Sequence, residues 1–336
     1  MPQMGLTDRK LLNIIQSAFP LVEEPYQDIG QRLGIDEEEV IQRLRGLRKR
    51  NVVRQISAIF DTRRLGYKTS LVAMAYDPNL LHRGALKINK HPGVSHNYAR
   101  EGSYYNLWFT LAVPPGDSVE ATVERMASET RALSFRIMPT IHFFKIGVNF
   151  DMVEEKGAAY QYYSPDGYND DPKLKDWNKA VSLSDFDVQA IRELQEDLPM
   201  VCRPFDDMAQ RLEVTAQRLF DIAREFEERG IMRRYSAVLY HRKAGFMANG
   251  MGVWKVPSER SEEVGKKMAA HPAVTHCYER PTFPDWPYTH FTMIHATSKE
   301  GCEGVVREIS EATGITEYLL LYSTREYKKT RVRYFV

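Results

Sequence analysis

Cysteine is scarce in this chain: Cys202, Cys277 and Cys302 are the three among 336 residues, and all lie in the second half. An odd count without metal-ligand spacing argues against a disulfide framework and fits a reducing cytoplasm. Net charge is nearly absent too, because 46 Lys and Arg against 45 Asp and Glu leave +1. No global basic field draws the chain to nucleic acid or to a membrane surface. No apolar run approaches the roughly 18 residues of a membrane span. The opening Met1-Pro2-Gln3-Met4-Gly5-Leu6-Thr7-Asp8 lacks the basic start and apolar core of a secretory signal. With 43% hydrophobic residues, the composition is that of a soluble globular protein, and the length suggests about two to four domains.

What the chain does have is a repeat. His91-Pro92-Gly93-Val94-Ser95-His96-Asn97-Tyr98-Ala99-Arg100 returns 180 positions later as His271-Pro272-Ala273-Val274-Thr275-His276-Cys277-Tyr278-Glu279-Arg280. Alternate residues of a strand share a face, so each copy sets an imidazole, a phenol and a guanidinium side by side. The match extends outward. Leu6-Thr7-Asp8 and Leu183-Ser184-Asp185 open the two units, with Thr7 and Ser184 as expected helix N-caps. Pro20 and Pro25 match Pro199 and Pro204, and each pair interrupts a helical pattern. A further helix is expected from about Asp36 to Lys49, and from about Thr215 to Glu228. Arg54-Gln55-Ile56 and Arg233-Arg234-Tyr235 then begin short strands. Three helices with a tight turn before the last read as helix-turn-helix.

Beyond each helical unit the pattern becomes β-α-β-β-α-β, the ferredoxin-like order. In the first copy the segments run over 67–76, 80–89, 94–100, 104–113, 118–130 and 137–150. In the second they run over 246–256, 259–270, 274–280, 288–296, 300–313 and 318–332. The expected fold class is thus α+β, a tandem repeat of a winged or helix-turn-helix domain plus a ferredoxin-like βαββαβ domain. The expected divisions are 1–62 and 63–150, a linker at 151–181, then 182–241 and 242–336. In the strand after Glu101-Gly102-Ser103, alternation groups Tyr105, Leu107 and Phe109 on one face and Asn106, Trp108 and Thr110 on the other.

A helix-turn-helix followed by βαββαβ resembles the Lrp/AsnC family of transcription regulators. The detailed motifs resemble a narrower group. His91 to Tyr98 with Tyr105-Asn106-Leu107-Trp108-Phe109-Thr110 looks like one subunit type of the sirohaem decarboxylases, and His271 to Pro281 with Trp286-Pro287-Tyr288-Thr289 looks like its partner subunit. The chain resembles the two subunits fused. The resemblance implies removal of two acetate carboxyls from sirohaem, giving 12,18-didecarboxysirohaem and carbon dioxide in haem or d-type haem synthesis. It implies no separate cofactor, since the iron arrives with the substrate. The alternative is a tandem regulator sensing a tetrapyrrole or an amino acid.

Sirohaem is a flat macrocycle edged with carboxylates, so its site needs cations at the rim and aromatic or apolar faces. Arg100 and Arg280 are the expected forks, with Lys145, Arg54, Arg233 and Arg234 as further candidates. Tyr98, Tyr105, Trp108, Tyr278, Trp286 and Tyr288 are candidate stacking or phenolic contacts. Loss of carbon dioxide leaves a carbanion-like methylene that needs a proton, and histidine is the natural donor near neutral pH. His96 is the first choice and His276 the second; either could instead be an axial ligand of the substrate iron. His91 and His271, each before a proline, read as structural, and so on balance do His142, His290 and His295. The third helix of the first copy opens with Asp36-Glu37-Glu38-Glu39, which repels phosphate, so DNA is not an expected partner. The two βαββαβ units are expected to pair within the chain around one productive pocket, the first half supplying more of the chemistry. A homodimer of the fused chain would carry two such pockets.

Overall fold

The computed structural model describes residues 4–17, 19–149, 161–163, 179–239, 248–296 and 298–336. Apart from 161–163 and 179–181, the expected linker lies outside the described residues. The first repeat runs α1 (Leu6–Ser17), α2 (Pro25–Leu33), α3 (Glu37–Lys49), β1 (Val53–Phe60), β2 (Lys68–Ala75), α4 (Pro78–Ile88), β3 (Val94–Glu101), β4 (Leu107–Val113), α5 (Val119–Thr130), β5 (Ser134–Met138) and β6 (His142–Asn149). A short β7 (Gln161–Tyr163) follows. The second repeat runs α6 (Asp185–Leu194), α7 (Asp206–Arg211), α8 (Ala216–Glu228), β8 (Met232–Leu239), β9 (Ala248–Trp254), α9 (Ser261–Ala270), β10 (Val274–Glu279), β11 (His290–Ala296), α10 (Lys299–Thr313) and β12 (Tyr318–Lys329).

Local chemistry explains most helix starts. Ser184 and Asp187 form a reciprocal capping box at α6, and Asp36 Oδ1 accepts from the Glu39 amide at α3. Thr7, expected as a cap, instead falls inside the first turn of α1. Pro25 begins α2, where its missing amide costs nothing.

The helical units do not stand apart. β1 and β8, one from each repeat, pair antiparallel into a two-stranded ribbon. The hydrogen bonds are reciprocal: the Phe19 amide donates to the Tyr235 carbonyl, and the Leu198 amide donates to the Ile56 carbonyl. Leu11, Ile15, Val40, Leu44, Ile191, Phe220 and Phe226 belong to one continuous core spanning both repeats. The basic side chains of α3 turn onto the chain itself. Arg45 donates to the Met200 carbonyl (2.8 Å), Arg48 pairs with Asp197 (2.9 Å), and Arg43 and Arg50 both reach Asp8.

The remaining strands form a ten-stranded sheet in the order β5-β2-β4-β3-β12-β9-β11-β10-β6-β7. Within it, β5-β2-β4-β3 and β12-β9-β11-β10 are two ferredoxin-like sheets of the same topology. They are joined by exchange. The segment expected as one β stretch over 137–150 is two strands: β5 pairs with β2 of its own repeat, and β6, beyond Pro139, crosses to pair with β10. β12 does the same without a break, pairing with β9 over its first part and with β3 over the rest. α9 packs so closely on this crossing that a Cβ on Gly265 would lie 2.2 Å from the Phe144 ring.

One expected face grouping needs correction. β4 begins at Leu107, so Tyr105 lies in the preceding turn and does not alternate with Leu107 and Phe109. The Trp108 Nε1–H donates to the Tyr105 backbone carbonyl at 2.7 Å, and both rings pack against Trp286. Among the described residues no helix is long and apolar enough to cross a membrane.

Candidate active site

A β-bulge sets up the site in each repeat. The register of β3 against β4 slips between Val94 and His96, and that of β10 against β11 slips between Val274 and His276. The extra residues are Ser95 and Thr275. A bulge re-aims the side chains that follow it, and here His96, Tyr98 and Arg100 and their counterparts His276, Tyr278 and Arg280 all face one cavity of about 490 Å³ between the sheet and the β1–β8 ribbon. In each trio the three side chains lie in sequence, the rings stacked in the first copy and tilted in the second. His96 and Tyr98 have ring centroids 6.4 Å apart with Arg100 5.4 Å above the phenol; His276 and Tyr278 are 6.0 Å apart with Arg280 at 5.0 Å.

The ribbon supplies Arg54, Arg233 and Arg234, and the end of the chain supplies Lys329 and Arg331. With Arg100 and Arg280, seven cationic side chains line the cavity, and no Asp or Glu does so among the described residues. Behind Arg233, at 2.6 Å, sits Asp61. Burial alone would raise its carboxyl, but Arg233 and Arg63 hold it below the usual carboxylate range. The walls between these charges are apolar or aromatic: Leu71, Trp108, Ile146, Met251, Phe291 and Met293. So strong a local field contrasts with a whole-chain charge of +1. Such a field suits an anion that carries several carboxylates.

Three imidazoles meet in this field. Burial, then Lys329, Arg54 and His276, push the His96 pKa down to about 3. Burial, then Lys329, Lys145 and Arg233, bring His276 to about 4. His295, which also lines the cavity, is lowered to about 3 by burial, His276, Lys329 and Arg100. All three are therefore neutral at neutral pH in the ligand-free cavity. A polycarboxylate on the surrounding cations would offset the charge part of that lowering and raise these pKa values, while burial, the larger cause, would remain.

Several expected site residues lie elsewhere. Tyr105, Trp286 and Tyr288 do not line the cavity; with Trp108 they brace the two repeats behind it. The Tyr105 hydroxyl donates to Asp285 (2.6 Å), which Arg136 also holds, and the Trp286 ring sits 5.3 Å from Trp108 and 5.1 Å from Tyr288. Lys145 is buried beneath β10, where its ammonium donates to the His271 carbonyl. His91 and His271 each accept a backbone amide at Nδ1, from Gly93 and Ala273, and so close equivalent turns. His142 lies near Glu262 and His290 near Ser261, both away from the cavity. Sequence reasoning missed Lys329 and Arg331, and His295, read there as structural, lines the cavity. The alternating Lys329 and Arg331 carried a signal, since alternate residues of an extended segment share a face. His295 carried less, because its register position in the first repeat is held by Ala112.

Comparison with known proteins agrees with this geometry. The AsnC-like ligand binding domain model matches residues 64–145 and 243–328, and the siroheme decarboxylase NirDL-like HTH domain model matches residues 8–54 and 187–233. The siroheme decarboxylase of Hydrogenobacter thermophilus is 39% identical over 333 residues, 99% of this chain and 96% of that protein. The chain belongs to the sirohaem decarboxylase family. The siroheme decarboxylase beta subunit of Methanosarcina barkeri is 47% identical over 147 residues, 44% of this chain and 97% of that subunit. A sirohaem decarboxylase subunit can thus correspond to half of this chain, which is a fused form. The crystal structure of the siroheme decarboxylase NirDL in co-complex with an iron-uroporphyrin III analogue has a TM-score of 0.72 and 34% identity, covering 98% of this chain and 95% of that one.

Proposed function

We propose that this chain binds one sirohaem between its two repeats and removes two acetate carboxyls from it, giving 12,18-didecarboxysirohaem. The observation that carries the reading is the lining of a single cavity by seven Arg and Lys side chains and three histidines from both repeats. Arg100, Arg280 and the ribbon arginines clamp the carboxylates that stay, while Trp108, Phe291 and the methionines meet the macrocycle faces. Each step breaks the bond between the acetate methylene and its carboxyl carbon. Carbon dioxide departs, the electron pair spreads into the conjugated macrocycle, and a proton completes the methyl group. No oxidant or reductant is consumed. His96 delivers that proton, having taken it up when the bound carboxylates offset Lys329 and Arg54. His276 is the second donor. Every covalent change falls on the substrate, whose own iron is part of it.

The regulator reading is weaker. Asp36 and Glu37–Glu39 occupy the start of α3, and Arg45 and Arg48 are engaged with the second repeat. The deciding experiment is anaerobic incubation with sirohaem, measuring released carbon dioxide. The expected result is two per sirohaem for the native chain, with the rate lowered about 100-fold or more in His96→Ala, the scale of a lost general acid. Tight tetrapyrrole binding with no release, together with sequence-selective DNA binding, would overturn it.

A further inference from the structure

We propose that Thr275 is a positioning residue that locks His276 and His295 into one tautomer, and that His295 thereby joins the working set of the site. The proposal rests on the functional reading above but starts from a separate geometry. Thr275 is the bulge residue of β10 and is 1% exposed. Its Oγ1 has three partners: the Met293 carbonyl at 3.2 Å, His276 Nδ1 at 3.1 Å and His295 Nδ1 at 3.2 Å. A hydroxyl has one proton and two lone pairs. The carbonyl can only accept, so the hydroxyl proton goes there. All three contacts are satisfied only if both imidazoles donate from Nδ1. A neutral imidazole has a single N–H, so each Nε2 then carries its lone pair. With Nδ1 pinned to the buried threonine, Nε2 is the remaining nitrogen of each ring, and both rings line the cavity.

The first repeat is wired differently. Ser95 Oγ lies 3.0 Å from His96 Nδ1 and 2.7 Å from Thr110 Oγ1, and the His96 amide donates to Thr110 Oγ1. Here the register partner contributes a second hydroxyl where the second repeat has the Met293 side chain. Two hydroxyls can hand their protons in either direction. His96 can donate from Nδ1 to Ser95, or accept there and keep its proton on Nε2, without losing a hydrogen bond. The second repeat thus presents the substrate two hydrogen-bond-accepting nitrogens, each of which must take up a proton before its ring can give one, and the first presents one that can also donate a hydrogen bond. With Ala112 at the position of His295, the two half-sites are not equivalent.

The test uses the full chain labelled with nitrogen-15 histidine, ligand-free at neutral pH. Long-range nitrogen–proton correlations separate protonated from unprotonated ring nitrogens, and His276→Gln and His295→Gln assign them. Expected is an unprotonated Nε2 at both rings in the native chain and in Thr275→Ser, with at least one ring moving to Nε2–H in Thr275→Val. In turnover, Thr275→Val lowers kcat about 10- to 100-fold, the cost of losing a group that orients a working imidazole, with KM nearly unchanged; Thr275→Ser restores it. A native Nε2–H at either ring, or full activity in Thr275→Val, overturns the proposal. If the valine variant does not fold, the native tautomers and the serine variant still decide. Absence of turnover in the native chain would sink the functional reading while leaving the tautomer result intact.

Discussion

At the scale of single residues, the cavity concentrates cations around neutral imidazoles. This has a cost that can be measured. His96, His276 and His295 have folded pKa values of about 3, about 4 and about 3, against about 6.5 in an unfolded chain. Below that value the unfolded chain binds protons that the folded chain refuses, so stability is complete above about pH 6.5 and is lost as pH falls toward 4. Urea midpoints followed from about pH 7.5 to 5 should therefore drop, and the drop should be shallower in His295→Gln. An equal slope in that variant would contradict the burial of a neutral His295. Arg280 makes a second prediction. Its Nη1 donates to the Met138 carbonyl, its Nε has no partner among the described residues, and burial lowers its pKa to about 10. Arg280→Lys keeps the charge but loses the fork, so sirohaem affinity should fall by about 10-fold or more, a loss of roughly 1.4 kcal/mol or more for a charge-assisted pair. Spectral titration checks it. The residue scale was also the least legible in sequence. The repeat picked out His96, Tyr98, Arg100 and their counterparts, which the fold brings together. A histidine without a repeat counterpart was invisible to that comparison, and the face that Lys145 takes, with its neighbour Ile146 on the cavity side, is set by the pairing of β6 with β10 and leaves no mark in a local pattern.

At the scale of elements, hydrophobic periodicity and turn residues gave the βαββαβ order in both copies, because each unit obeys its own local chemistry. The pairing partners were not legible. Nothing local says that β6 leaves its own repeat to join β10, or that the later part of β12 pairs with β3; those choices are made by cross-strand packing between segments far apart in sequence. The crossing of β6 under α9 is tightly built. Gly265→Ala would press a methyl into the Phe144 ring and should cost about 1–3 kcal/mol. Gly46→Ala, within α3 with nothing in the way, should stabilise by up to about 1 kcal/mol. Urea unfolding of both variants tests this, and a neutral Gly265→Ala would show that α9 and β6 pack less closely than described.

At the scale of the whole molecule, the two repeats are parts of one structure. The helical units share a core and a ribbon, the sheets exchange their last strands, and the cavity takes residues from both. Residues 1–150 produced alone should therefore be aggregated or unfolded, whereas co-production with 182–336 should give a one-to-one complex by gel filtration. A well-folded monomeric half would contradict the shared core. The central claim is that this joint cavity removes carbon dioxide from sirohaem and returns protons to it. Its most direct test is the mass of the tetrapyrrole after anaerobic reaction in heavy water. The account predicts a product lighter by two carbon dioxide units and carrying one deuteron in each new methyl group. Sirohaem that is bound by the protein yet recovered with its mass unchanged would contradict it.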